Sequence, residues 1–155
     1  MDGHEYTARF EAPGGKPVLK VYADPLTGKE PWTVGIGHTG PDVKKGATWT
    51  PDRCMAAYYN DYAVAQGQAL HIIGSDCWAH LNDPRRAVLI DLAFNLGSPR
   101  LSGFVKMLDA IRAEDWKKAK AELLDSVYAA QVPKRANTNA SVFLTGLWPE
   151  DQPTV

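Results

Sequence analysis

The residues that mark specialised chemistry are scarce in this chain. Its 155 residues include two cysteines, Cys54 and Cys77. Two thiols make neither a disulfide framework nor a thiolate metal cluster, and the burial tendency of cysteine predicts a buried free thiol at each. Four scattered histidines, His4, His38, His71 and His80, show no metal-ligand spacing, so no metal is expected. No run approaches the ~20 apolar residues of a membrane span, so stable membrane insertion is not expected. The opening MDGHEYTARF has no apolar core and does not read as a secretory signal, which predicts a start in the cytosol. Internal repeats and low-complexity linkers are missing as well. A net charge of -1 argues against a general nucleic-acid binder.

What is present is an ordinary globular composition, 45% apolar and 23% charged. A chain this long fits one domain, burying roughly two-thirds of the surface it exposes when unfolded. Charge is uneven. Arg85 to Arg135 holds ten basic and six acidic residues, whereas Pro51 to Pro84 holds one arginine and four aspartates. A basic second half could attract an anionic polymer, although solvated helix faces give the same bias.

Local patterns predict a short helix over Gly3 to Phe10 that delivers Glu11. Pro13, Gly14 and Gly15 stop it. Val18 to Ala23 (VLKVYA) is a β-branched, aromatic strand, and Asp24-Pro25-Leu26-Thr27-Gly28 is turn chemistry. A second strand is predicted over Trp32 to Ile36, then a loop over Gly37 to Gly46. Thr50-Pro51-Asp52 starts a long helix reaching Gly74, with Gly67 as a weak point. Asp83-Pro84 repeats the start signal for a helix ending at Gly97. Further helices fit Leu101 to Ala113, Asp115 to Tyr128 and Pro133 to Leu144. Trp116 and Trp148 read as core, and Trp32 and Trp49 flank the hairpin loops. A small sheet, a long helix and a helical bundle make an α+β fold with two lobes, a shape that leaves a cleft between them.

The segment from Glu11 to His38 carries chemistry. One carboxylate follows a helix; a second, Asp24, sits at a turn. Thr33 and the tight Gly35-Ile36-Gly37-His38 turn come next. Two carboxylates on a small hairpin are the minimum for acid/base cleavage of a glycosidic bond.

This order resembles the phage-type lysozymes, the T-even-like muramidase endolysins of glycoside hydrolase family 24. The first motif is Glu11, Leu19-Lys20-Val21-Tyr22, Asp24, Thr33 and Gly35-Ile36-Gly37-His38. The second is Phe94-Asn95-Leu96-Gly97 followed by Gly103-Phe104. The third runs from Ser126-Val127-Tyr128-Ala129-Ala130-Gln131 to Arg135-Ala136, and Thr145-Gly146-Leu147-Trp148 closes the series. The resemblance spans Arg9 to Trp148. It implies a lysozyme-like domain over 1–155: a β-containing lobe at about 1–48, a connecting helix at 49–74 and a helical lobe at 75–155.

The resemblance also implies hydrolysis of the β-1,4 bond between N-acetylmuramic acid and N-acetylglucosamine in peptidoglycan, without a cofactor. Glu11 becomes the general acid, Asp24 the carboxylate that activates water on the opposite face, and Thr33 the holder of that water. The acid must stay protonated near neutrality, which a shielded site provides, while the second carboxylate stays ionised. Inversion needs room for water, roughly 6.5–9.5 Å between the carboxyls. Arg135 falls where the family places a cation beside the acid. Asn95, Phe104 and Gln131 become substrate-binding or supporting residues, and His38 pairs structurally with Asp61.

The spacing departs from the family at Pro13 to Pro17 and at Thr27 to Pro31, where extra residues fall in turns. Glu5 is therefore a rival to Glu11, and Glu30 a weaker one. The implied setting is a monomer acting on peptidoglycan glycan strands for host lysis. It would be made in the host bacterial cytoplasm and reach the periplasm or wall once a separate pore-forming holin opens the membrane. Two alternatives stand beside it: a lytic transglycosylase, and a catalytically weak peptidoglycan-binding or bacteriocin-like module on the same fold.

Overall fold

The computed structural model describes residues 1–154 and divides into two compact units. One is His4–Val64; the other takes Met1–Gly3 and the chain from Ala65 onward.

In the first unit, helix α1 (Gly3–Glu11) buries Tyr6, Thr7 and Ala8. The Tyr58 hydroxyl donates to the His4 carbonyl at 2.5 Å, and the His4 ring lies 4.1 Å from the Tyr62 ring. These aromatic contacts fix the start of α1. Strands β1 (Val18–Tyr22), β2 (Thr33–Gly35) and β3 (His38–Thr39) form one antiparallel sheet in the order β1-β2-β3. Tyr22 faces Thr33, Val34 faces His38, and β1 carries a bulge between Val18 and Tyr22. The predicted loop from Gly37 is corrected by β3. Two residues are too few to show alternation; the strand exists because Gly35 and Gly37, with φ of 68° and 67°, fold the chain back on itself. The outer edge of β1 is covered. Val21 N–H donates to the Ala47 carbonyl at 3.0 Å, and Trp49 N–H to the Leu19 carbonyl at 2.8 Å. Beneath lie Val21, Val34, Val43, Trp49 and Cys54, with Trp32, Ala47 and Ala57 packed against them.

Helix α2 (Pro51–Ile73) starts where expected: Thr50 Oγ1 accepts the Arg53 N–H at 3.2 Å. It continues without a break past Gly67 and stops at Gly74, whose φ of 94° ends the helix. Among the described residues, no helix is long and apolar enough to cross a membrane.

The second unit is helical: α3 (Ser75–His80), α4 (Asp83–Leu96), α5 (Ser98–Ser102), α6 (Val105–Arg112), α7 (Trp116–Leu124), α8 (Val127–Gln131) and α9 (Pro133–Thr145). Central helix α4 buries Ala87 through Ala93 without a break, the mark of a helix enclosed on all sides. α9 packs on α4, α7 and α8, and α6 packs on α7.

Two predicted helices are each broken in two. The Leu101–Ala113 helix is interrupted at Gly103-Phe104, where tight bonds to Arg100 and Leu101 carbonyls end α5. The Asp115–Tyr128 helix is interrupted because Ser126 Oγ accepts the Ala129 N–H at 3.2 Å and so caps a new helix, α8. Asp115 is itself a cap, for α7. Three side chains also differ from expectation. Cys54 is fully buried, but Cys77 is half-buried, as are Trp116 and Trp148. Trp116 stacks under the Arg85 guanidinium, 3.8 Å from its ring centre.

Part of the basic bias of Arg85 to Arg135 has a structural cause. Arg85 donates to the Phe143 and Leu144 carbonyls, Arg86 to those of Trp78 and Ala79, and Arg112 to those of Ile72 and Ile73. These guanidinium groups finish helix ends, where carbonyls lack partners within the helix.

Candidate active site

Glu11 is the last residue of α1 and is half-buried. Its carboxyl group rests on the backbone of Gly37. A β-carbon built on Gly37 would collide with Glu11 Oε2 and sit 3.1 Å from its Cδ. Gly37 is thus required twice, for its left-handed backbone and for the room it leaves. Tyr22, at the end of β1, senses the same carboxyl: its phenol is pushed up by burial and then by the negative charge of Glu11. Glu5 is exposed. Glu30 is exposed in the β1–β2 connection.

Thr33 is the cross-strand partner of Tyr22, so both stand on one face of the hairpin. Its hydroxyl donates to the Pro31 carbonyl at 3.2 Å. Asp24 lies two residues beyond Tyr22 and is half-buried. Its carboxylate closes its own turn, accepting the Leu26 N–H at 3.1 Å and the Thr27 hydroxyl at 3.4 Å. The backbone of Asp24 is tied on both sides, N–H to the Lys29 carbonyl and carbonyl to the Gly28 N–H. The inserted residues from Thr27 to Pro31 therefore build the platform that holds Asp24. Tyr22 is the common neighbour of this group, and the motif alone gave it no role.

His38, on β3, is held from two sides. Its Nδ1 lies 2.6 Å from Asp61 Oδ2 on α2, and its Nε2 lies 3.0 Å from Asp42 Oδ2. Burial disfavours the charged imidazole, but the hydrogen bonds to Asp61 and Asp42 outweigh it and raise the pKa of His38. Asp42 in turn is lowered, chiefly by its bond to His38. Trp49 covers the ring at 5.4 Å between centroids. Asp42 was not singled out from the sequence; an i, i+4 carboxylate in a loop carries no periodic signal.

In the second unit, Arg135 opens α9 and is buried. Its Nε and Nη2 donate to the two oxygens of Asp91 on α4, at 3.0 and 2.8 Å. Asn139 Nδ2 donates to Asp91 and to the Tyr128 hydroxyl, at 3.0 and 3.1 Å. A fork-to-fork pair of this kind fixes a guanidinium in one orientation. Asp91, the fully buried anion, was missed because it sits in an apolar run that reads as core. Phe104 is half-buried at the start of α6 and lines a groove of about 500 Å³ with Arg100, Val105, Lys106 and Ser126. Arg100 Nη2 also donates to Gln131 Oε1 at 3.3 Å, so Gln131 is tied to the wall of that groove. Asn95, in the last turn of α4, is exposed.

A family model described as "Phage lysozyme" matches residues 15–138. The match begins just after Glu11 and includes Asp24, Thr33 and Arg135. A Dictyostelium discoideum protein named "Probable T4-type lysozyme 2" is 36% identical over 116 residues, which are 72% of this chain and 66% of that protein. The "Pre-baseplate central spike protein Gp5" of Enterobacteria phage T4 is 35% identical over 69 residues, 44% of this chain and 12% of that protein. The chain thus spans just under two-thirds of the first relative's length and a small part of the second's.

Proposed function

Because the chain belongs to the phage lysozyme family, a family of glycoside hydrolases, we propose that it is a peptidoglycan muramidase. The bond cut is the β-1,4 link between N-acetylmuramic acid and N-acetylglucosamine, with inversion. Glu11 gives its proton to the leaving oxygen, Asp24 takes a proton from the attacking water, and Thr33 positions that water. Asn95, Phe104 and Gln131 bind the glycan or support the residues that do, and Arg135 is the cation that supports the acid. The setting is host lysis: synthesis in the bacterial cytoplasm, passage through a holin pore, and action on the wall as a monomer.

One observation supports the reading most: the Glu11 carboxyl is seated in a space cut for it at Gly37, beside Tyr22. A carboxyl decorating a helix end needs no such seat. Clearing of chloroform-permeabilised Gram-negative cells tests it. Glu11→Gln is expected to lose roughly 10²- to 10⁴-fold in rate, the usual worth of a general acid. Full clearing by that variant would end the proposal. Product NMR showing the α-anomer first is expected; net retention would remove the role of Asp24.

A second reading keeps Glu11 and drops Asp24. The Asp24 carboxylate already has structural work in its own turn, which favours a lytic transglycosylase with one acid. Product mass separates the two, since a transglycosylase leaves an anhydro sugar.

A further inference from the structure

A groove of about 670 Å³ opens in the first unit, next to the hairpin that carries Thr33 but lined by none of Glu11, Asp24 and Thr33, and its walls include Glu30, Pro31, Trp32, Pro41, Lys44 and Lys45. Its size falls within the range of small-molecule sites. Three features distinguish it from an ordinary surface hollow. First, Trp32 is half-buried and lines the groove, and the Lys45 ammonium lies 5.4 Å from its ring centre. Second, among the described residues neither Lys44 nor Lys45 has an ion pair, while four arginines of the basic second half are engaged internally. Third, one wall, Glu30 and Pro31, comes from the residues that lengthen the connection between Asp24 and Thr33.

We propose that this groove is an accessory binding site for an acidic amino-sugar unit, a pyranose ring bearing a carboxylate. The apolar C–H face of such a ring matches Trp32 and Pro31, which offer flat, rigid, apolar surface at low conformational cost. The carboxylate matches Lys44 and Lys45. Glu30, at the rim, accepts ring hydroxyls and disfavours a bare polyanion. Trp32 directly precedes Thr33 on the chain, so a glycan held here is anchored to the hairpin that carries the proposed water-holding residue. The choice of ligand rests on the muramidase reading; the groove itself does not.

The test uses the full chain carrying Glu11→Gln, so that binding is measured without turnover. The probes are peptide-stripped glycan strands with free lactyl carboxylates, neutral chitotetraose, and long-chain polyphosphate. Calorimetry and the Trp32 indole N–H resonance report binding. The acidic glycan is expected to shift that resonance. Lys44→Gln/Lys45→Gln is expected to weaken acidic-glycan binding about five- to tenfold, the worth of two exposed ion pairs, with an unchanged melting temperature. Chitotetraose binding is expected to stay the same. Trp32→Ala also removes packing from the core, so the lysine pair carries the test. Wild-type affinity in the lysine variant, or a Trp32 resonance that moves with polyphosphate and not with glycan, overturns the inference. Glycan binding at Trp32 in a protein that hydrolyses no wall preparation would sustain the groove and remove the muramidase reading alone.

Discussion

The carboxyl group of Glu11 fills the volume that a side chain on Gly37 would occupy. The last residue of α1 and the turn between β2 and β3 are therefore fitted to each other, and position 37 leaves no room for a side chain while Glu11 is seated there. Gly14 provides the control. Its φ of 63° is close to the 67° of Gly37, yet a β-carbon there would meet nothing within 4 Å.

Gly14→Ala and Gly37→Ala share the left-handed backbone cost of about 1–2 kcal/mol. Only Gly37→Ala also displaces Glu11. Gly37→Ala is expected to melt lower than Gly14→Ala and to lose roughly a hundredfold in rate, the effect of a ~1 Å misplacement of a reacting group. Equal rates in the two folded variants would show that Glu11 does not depend on this seat.

The clasp of His38, Asp42 and Asp61 makes stability depend on pH. The pKa of His38 is raised above 6.5 in the fold, with burial opposing and the two carboxylates prevailing. Its contribution is then complete below pH 6.5 and fades as pH rises through the raised value. The pKa of Asp42 is lowered below 3.8, so its contribution is present above that value and lost as pH falls through the lowered one. The melting difference between wild type and His38→Asn is expected to be largest at about pH 5 and to shrink toward alkaline pH. Turnover of the folded variant is expected to change less than its stability. A flat difference across pH, or a stable variant without activity, would contradict this.

Arg135 and Asp91 are buried together, with side-chain exposures of 9% and 0%. Removing one member leaves the other charged and enclosed, at a cost of about 3–5 kcal/mol. Arg135→Met is expected to lose that much in denaturant unfolding. Arg135→Lys is expected to regain only part, because an ammonium cannot engage both oxygens of Asp91 at once. Full recovery by lysine would mean that charge alone matters here.

How much of this was legible in the sequence depends on the range of each interaction. Thr50-Pro51-Asp52 announced α2 because its cap is local, running from Thr50 to the Arg53 N–H. Asp83-Pro84 did the same for α4, though the capping oxygen belongs to Asn82. Ser126 was seen as part of a motif and not as the cap that divides α7 from α8, since the apolar spacing continues across it. The seat at Gly37 was visible only as a motif; its cause is an atom 26 positions away in the chain, on Glu11. Asp91 stayed hidden for the same reason, its partner being on another helix.

The closing Thr145-Gly146-Leu147-Trp148 motif has a similar explanation. Gly146 has a φ of 68°, and a β-carbon there would lie 2.9 Å from Arg85 Cζ. Arg85 reaches that position to bond the last carbonyls of α9 while stacking on Trp116. Gly146→Ala is expected to destabilise by about 2–3 kcal/mol, backbone cost plus a disturbed cap. Its catalytic rate below the melting range is expected to be unchanged, because none of these groups belongs to the proposed chemistry. A fall in rate without a fall in stability would assign this end of α9 a role in the reaction.

Asp24 permits the sharpest separation of fold from chemistry. Its carboxylate closes a turn by accepting the Leu26 N–H, a bond that the amide oxygen of asparagine reproduces. An asparagine cannot take a proton from water. Asp24→Asn is therefore expected to melt within about 0.5 kcal/mol of wild type and to lose roughly 10²-fold or more in rate. Asp24→Ala is expected to lose the rate and, in addition, about 1 kcal/mol of stability with the turn bond. If Asp24→Asn instead cleaves the glycan at the wild-type rate while Asp24→Ala is only less stable, the residue is a turn former. The chemistry would then rest on Glu11 alone, and the product should carry the anhydro sugar.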